Sequence, residues 1–240
     1  LDAVFTGAYN GQDYVIENLN ISSANYAVGL FGITVNARLS HIILYSSDGQ
    51  NYVERTGNKP GAYALGGLVG IAYSVSGYEN TSGISDCSIA GYQVIDKSTG
   101  KPTLGEANVG GLIGVANVNL TKCSSVADVQ LKVNYSGHAA YGNYIRVGGL
   151  VGSSKFNVTN CYTGGRIWLE KDAEGNDGPW NWQTITGGRV DLVNSNSIYA
   201  GGVVGGSFSA SFKNLNGSLD LSDTHYANCY TYTELPAFGG

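Results

Sequence analysis

The chain has 240 residues, of which only 13% are charged; it contains 36 Gly and 17 Tyr, and its formal net charge is −5. Apolar residues still supply 42% of it, which excludes a charge-rich disordered chain, and strong helix formers occur only in short patches, which argues against a helical protein. Scattered Lys and Arg leave no basic patch for nucleic acid, and no apolar run approaches the roughly 18 residues that span a bilayer.

Two signatures alternate along the chain. The first to appear is Ile16-Glu17-Asn18-Leu19: an apolar residue, a spacer, a small polar residue, then Leu, Ile or Cys. A glycine run follows, "AVGLFG" at 27–32, and the signature returns as "LSHI" at 39–42. The stretch 46–64 carries neither. "LGGLVG" at 65–70 and "ISDC" at 84–87 come next, then an unpatterned stretch at 93–108. "VGGLIG" at 109–114 and "LTKC" at 120–123 precede a third interruption, 132–146. "VGGLVG" at 147–152 and "VTNC" at 158–161 precede the longest, 169–199. "AGGVVG" at 200–205 and "FKNL" at 212–215 close the series.

Taken from Gly29, Gly67, Gly111, Gly149 and Gly202, the spacings are 38, 44, 38 and 53, while Leu19 and Ile42 are only 23 residues apart. A 23-residue unit with period-2 apolar stretches predicts one coil of a parallel β-helix, with three short strands and three turns. Longer units hold inserted loops. Residues 1–240 then form one all-β domain of about six coils, stacked about 4.8 Å apart. A five-bladed β-propeller competes, since periods near 40 suit four-stranded blades, but the short first unit cannot hold four strands.

Stacked coils place equivalent residues in columns. A glycine column permits a sharp corner or the close approach of backbone or a loop. The adjacent Leu and Val of the run face opposite sides of a strand, so one column lines the core and the other needs cover. Leu19, Ile42, Cys87, Cys123, Cys161 and Leu215 fill another column. Cys alternates there with Leu and Ile, so buried free thiols fit better than a metal or disulfide, and in-register neighbours give poor disulfide torsions. Cys229, only 14 residues after Leu215, is expected in a terminal turn. Asn18, His41, Asp86, Lys122, Asn160, Asn214 and Asn228 form or adjoin a corner that favours the left-handed conformation.

The glycine runs resemble the GLUG motif of large bacterial surface proteins, which also occurs beside the protease domain of some IgA-specific metallopeptidases. "FTGAYNGQDYVIENLNI" at 5–21, followed by "VGLFG", resembles the lead-in to such arrays. The resemblance covers residues 4 to about 220 and departs in the insertions, above all 169–199. It implies a right-handed β-solenoid, extracellular at the bacterial cell surface, serving in adhesion or as a spacer. It supplies no catalytic residues. A chain that starts at Leu1 and lacks Met reads as a segment of such a larger protein.

Candidate chemistry is sparse. A polysaccharide lyase needs a base with Ca²⁺-holding carboxylates, and a hydrolase needs clustered acids. Here the acids are scattered, and His41, His138 and His225 have no partners in sequence, so no enzyme and no cofactor are expected. "DAEGNDG" at 172–178 alternates oxygen ligands but has Asp177 where a calcium loop needs Gly. Trp180 and Trp182 share parity and form an aromatic strip on an extended segment. Such a strip either stacks on sugar rings or covers the outer column. Tyr135, Tyr141 and Tyr144 invite the same two readings. The expectation is an extracellular adhesin-type module that binds a carbohydrate or surface protein through its insertions. A pure spacer and a polysaccharide-active enzyme are the rival classes.

Overall fold

The structure, a computed structural model, describes residues 3–57, 62–78, 81–98, 106–131, 144–169, 181–184, 197–207 and 226–235. These residues contain no helix and form an all-β protein. All strand pairings are parallel, and the strands gather into four sheets, numbered 1 to 4 in the order a full pass visits them, starting before the glycine bend. The third pass shows the plan: Tyr63–Gly66 in sheet 1, Val69–Tyr73 in sheet 2, Gly83–Ser85 in sheet 3 and Ser88–Asp96 in sheet 4. Sheets 2 and 3 hold six strands each, one per pass, so the chain winds six times. The winding is consistent with a β-helix and not with a propeller, whose blades are antiparallel.

Four sheets replace the expected three strands per coil because the glycine run is not one strand. Gly66 ends a strand of sheet 1, Gly67 and Leu68 bend, and Val69 begins sheet 2. The bend removes the opposite-face constraint, and Leu68 and Val69 are both fully buried, as are Leu112 with Ile113 and Leu150 with Val151.

The glycines are there for close approach; none of those in the runs has a left-handed φ. A Cβ on Gly66 would lie 2.3 Å from the Val69 carbonyl oxygen, and one on Gly70 2.6 Å from Val28 N in the preceding pass. One on Gly111 would meet both Gly149 O and Ser125 Oγ at 2.2 Å, and one on Gly67 would meet Ile89 Cδ1 at 2.2 Å. Backbone therefore packs on backbone where sheets 1 and 2 meet, and the second glycine leaves room for the Ile89–Ser125–Thr163 column of sheet 4. Gly29 differs from its expected place. It follows Val28, the partner of Leu65, so it matches Gly66 rather than Gly67, and its bend is one residue shorter.

The core is built from columns: Leu65, Val109 and Val147 in sheet 1, Leu39, Ile84, Leu120 and Val158 in sheet 3, Val53, Val94, Val129 and Ile167 in sheet 4. Between sheets 3 and 4, Ile42, Cys87, Cys123 and Cys161 stack, and the register continues to Cys229. Cys229 thus belongs to a full sixth pass, not a terminal turn; Leu215 lies outside the described residues. Leu19 is also displaced from its expected column. Val15 pairs with Ile43, which sets Tyr14 opposite Ile42, and Leu19 packs further along sheet 4. The first pass turns left-handed twice, at Gln12–Asp13 (φ 55° and 59°) and at Asn18 (φ 59°), each time just before a large side chain.

His41, Asp86, Lys122, Asn160 and Asn228 all take φ between 51° and 55°, the corner between sheets 3 and 4. Their side chains pair along the stack: Asp13 with His41 at 3.1 Å, Asp86 with Lys122 at 3.8 Å, and Asn228 Nδ2 donates to Asn160 Oδ1 at 3.0 Å. Neighbours at one strand spacing therefore attract rather than repel.

The supposed insertions are partly strand. Tyr52–Arg55 and Gln93–Asp96 run in register in sheet 4, and Asn181–Thr184 pairs with Ser197–Ala200 to extend sheet 1 beyond the sixth pass. The apolar period fails at 54–55 and 96 because this end of the core is polar. Arg55 and Asp96 are fully buried; Tyr63 Oη donates to Asp96 Oδ2 at 2.5 Å, and Ser98 Oγ donates to Asp96 Oδ1 at 2.5 Å. Arg55 also reaches Ser98 Oγ, and its guanidinium lies 3.9 Å from the Tyr63 ring centroid.

Candidate functional site: the outer face of sheet 4

Inner and outer residues alternate along each strand of sheet 4. Its inner residues are the thiol and Ile89–Ser125–Thr163 columns; the residue between them points outward. In the successive passes that residue is Val15, Ile43, Ser88, Ser124, Tyr162 and Tyr230. The last two rings stack at 5.6 Å between centroids with only 11° between planes. Tyr232, two residues on, tilts against Tyr230 at 5.9 Å and stands over Gly164, where an added Cβ would come within 3.3 Å of its ring. Tyr162, Tyr230 and Tyr232 are 36%, 54% and 67% exposed, and Val126 beside them is 39% exposed.

A charged fork borders the rings. Arg166 Nη2 donates to Asp128 Oδ2 at 2.7 Å, and the carboxylate beside it raises the guanidinium above its ordinary pKa. Glu234 follows on the next pass, bridged to Arg166 through the backbone. Flat aromatic surface next to fixed hydrogen-bonding groups suits a ligand with apolar faces and polar edges. A sugar ring has that form.

Of the five aromatic residues singled out in the sequence, the structure places two, both in sheet 1. Tyr135, Tyr141 and Trp180 lie outside the described residues. Tyr144 and Trp182 are placed by their backbones only, Tyr144 opposite Glu106 and Ser197, and Trp182 opposite Ile198. The tyrosine face had a sequence signal, the repeat of "CYT" at 161–163 in "CYTY" at 229–232, which is legible once Cys229 is aligned with Cys161. A depression of about 280 Å³ over sheet 3, lined by Arg38, Thr81, Ser85, Asn119 and Thr121, falls short of the usual ligand pocket. Among the described residues no three His, Cys, Asp or Glu side chains converge to hold a metal ion, and no helix is long and apolar enough to cross a membrane.

No protein-family model, no curated protein and no solved structure matches the chain.

Proposed function

We propose that the chain is a right-handed β-solenoid acting as an extracellular, adhesin-type surface module that binds a neutral glycan on the outer face of sheet 4. The observation that carries this is the stacked, exposed pair Tyr162–Tyr230 with Tyr232 beside it and the Asp128–Arg166 fork at its edge. Tyrosines are exposed elsewhere on the protein too, but these three touch one another, and an exposed aromatic cluster on a rigid sheet suits a contact surface. The rings take the C–H face of a pyranose, and the fork takes its hydroxyls. A net charge of −5 disfavours sulfated or uronic chains. A parallel sheet stack holds the rings at fixed separation, so little ordering cost falls on binding.

The test is retention on a panel of insoluble neutral and acidic polysaccharides, comparing the native chain with Tyr162→Ala/Tyr230→Ala. Selective retention on a neutral glycan, lost in the double variant with an unchanged melting temperature, is the expected result. Retention that survives the double variant but not Trp180→Ala/Trp182→Ala would move the site to the insertion 169–199. Retention on nothing would leave the spacer, and soluble oligosaccharide released from an acidic polysaccharide would reveal an enzyme.

A further inference from the structure

The thiol column offers a second chemistry, independent of the glycan reading. Cys87, Cys123, Cys161 and Cys229 come from four consecutive passes and are all free thiols. The first three are buried at 1%, 0% and 0%, whereas Cys229 on the last pass is partly exposed. The column is therefore closed along its length and open at one end.

The open end is also where two thiols are set to react. Tyr230 N donates to Cys161 O at 3.2 Å and Asn160 N to Ala227 O at 2.9 Å, so the two cysteines face each other across adjacent strands. That spacing, about 4.8 Å, falls within the Cα separations of disulfides. Cys229 Sγ donates to Val158 O at 3.2 Å, a carbonyl of the preceding pass, which turns it back toward the strand of Cys161. A second acceptor, Ala227 O at 3.4 Å, lies on its own strand, so the sulfur of Cys229 sits between the two passes.

We propose that Cys161 and Cys229 are an oxidisable pair, closed to a disulfide by a low-molecular-weight disulfide, while Cys87 and Cys123 stay reduced. The Cys229 thiolate attacks one sulfur of the small disulfide RSSR; its S–S bond breaks, and the departing RS⁻ takes up a proton. The Cys161 thiol gives its proton to solvent, attacks the Cys229 sulfur of the mixed disulfide and expels the second RS⁻, which is protonated in turn. Two protein thiols lose two protons and two electrons, and RSSR becomes two RSH. The order follows access, since only Cys229 meets solvent. The hydrogen bond from Cys123 lowers the Cys161 pKa, which suits the resolving thiol, whereas burial raises Cys229 and makes the first attack slow. Cys87 and Cys123 are spared because no oxidant reaches them. The bond fastens the sixth pass to the fifth directly behind Tyr162 and Tyr230, the residues that follow the two cysteines.

The experiment uses the native chain. It is incubated folded with oxidised glutathione at about pH 8, unfolded, alkylated and cut with trypsin. Cleavage after Lys155, Arg166 and Lys213 puts Cys161 in 156–166 and Cys229 in 214–240, while Cys123 begins the peptide after Lys122. The expected result is an intact mass lower by two hydrogens, 156–166 linked to 214–240, and alkylated Cys87 and Cys123. Dithiothreitol restores all four thiols, and Cys229→Ser takes up no oxidant. Four alkylated cysteines after prolonged incubation, a glutathione adduct persisting on Cys229, or a link through Cys87 or Cys123 would each overturn the proposal. None of these readouts depends on sugar binding.

Discussion

Replacing Gly111 by Ala adds one carbon at a crowded corner of the stack. The new Cβ would sit 2.2 Å from Gly149 O and 2.2 Å from Ser125 Oγ, roughly 1 Å short of an ordinary contact on both sides. The serine hydroxyl can turn aside, but Gly149 O belongs to the backbone of the next pass. Relief therefore means parting the fourth and fifth passes at the corner, where Gly111 N donates to Gly148 O at 3.2 Å and Leu112 N donates to Leu150 O at 2.9 Å. Overpacking of a rigid core costs about 1–3 kcal/mol and each weakened ladder bond about 1 kcal/mol more, giving about 3–5 kcal/mol in total. Gly77→Ala is the control. No atom lies within 4 Å of a Cβ there, and the loss comes only from its left-handed φ of 94°, about 1–2 kcal/mol. Urea unfolding followed by far-UV circular dichroism measures both. Midpoints that agree within about 0.5 kcal/mol would refute close backbone approach as the reason for the repeated glycines.

Other outcomes follow from single contacts. Ser125 Oγ is buried without a partner, so Ser125→Ala should be neutral or stabilising by up to about 1 kcal/mol and should soften the Gly111→Ala loss in a double-mutant cycle. Burial raises the pKa of Asp96 above the usual carboxylate range. A raised folded value stabilises the native state at low pH and loses that contribution as pH rises through it. Measured against Asp96→Asn, the native chain should therefore lose relative stability as pH rises above the ordinary carboxylate range, and an opposite trend in paired urea melts would refute the assignment. Cys123→Val should cost less than about 1.5 kcal/mol in the same melts, because Ile42 already occupies the equivalent place in that column.

How much of this was legible depends on whether a residue repeats for packing or for chemistry. The Leu, Ile and Cys of the signature must be interchangeable at 0–1% exposure, so Ile42, Cys87, Cys123 and Cys161 give a regular pattern. A glycine column allowed for a corner, but its place between Gly66 and Val69 was hidden, because Gly67-Leu68 between apolar residues reads as continuous strand. Leu19 was misaligned for a related reason: the first pass turns left-handed twice, at Gln12–Asp13 and at Asn18, and only register chooses between the two places. Cys229 was hidden by a long interval after Cys161, with "FKNL" at 212–215 imitating the signature in between. With Cys229 out of place, Tyr230 could not be seen to stack on Tyr162. The buried Arg55–Asp96 pair left no pattern at all, since polar residues at core positions break the apolar period by which a strand is recognised.

The glycan platform is tested most directly by nuclear Overhauser effects between tyrosine rings and a bound neutral oligosaccharide chosen from the polysaccharide panel. Stacking predicts contacts from the ring protons of Tyr162 and Tyr230 to sugar C–H groups, with shift changes spreading to Tyr232, Arg166 and Asp128. Contacts confined to Trp180 and Trp182, or shift changes on another sheet with both rings unaffected, would contradict it.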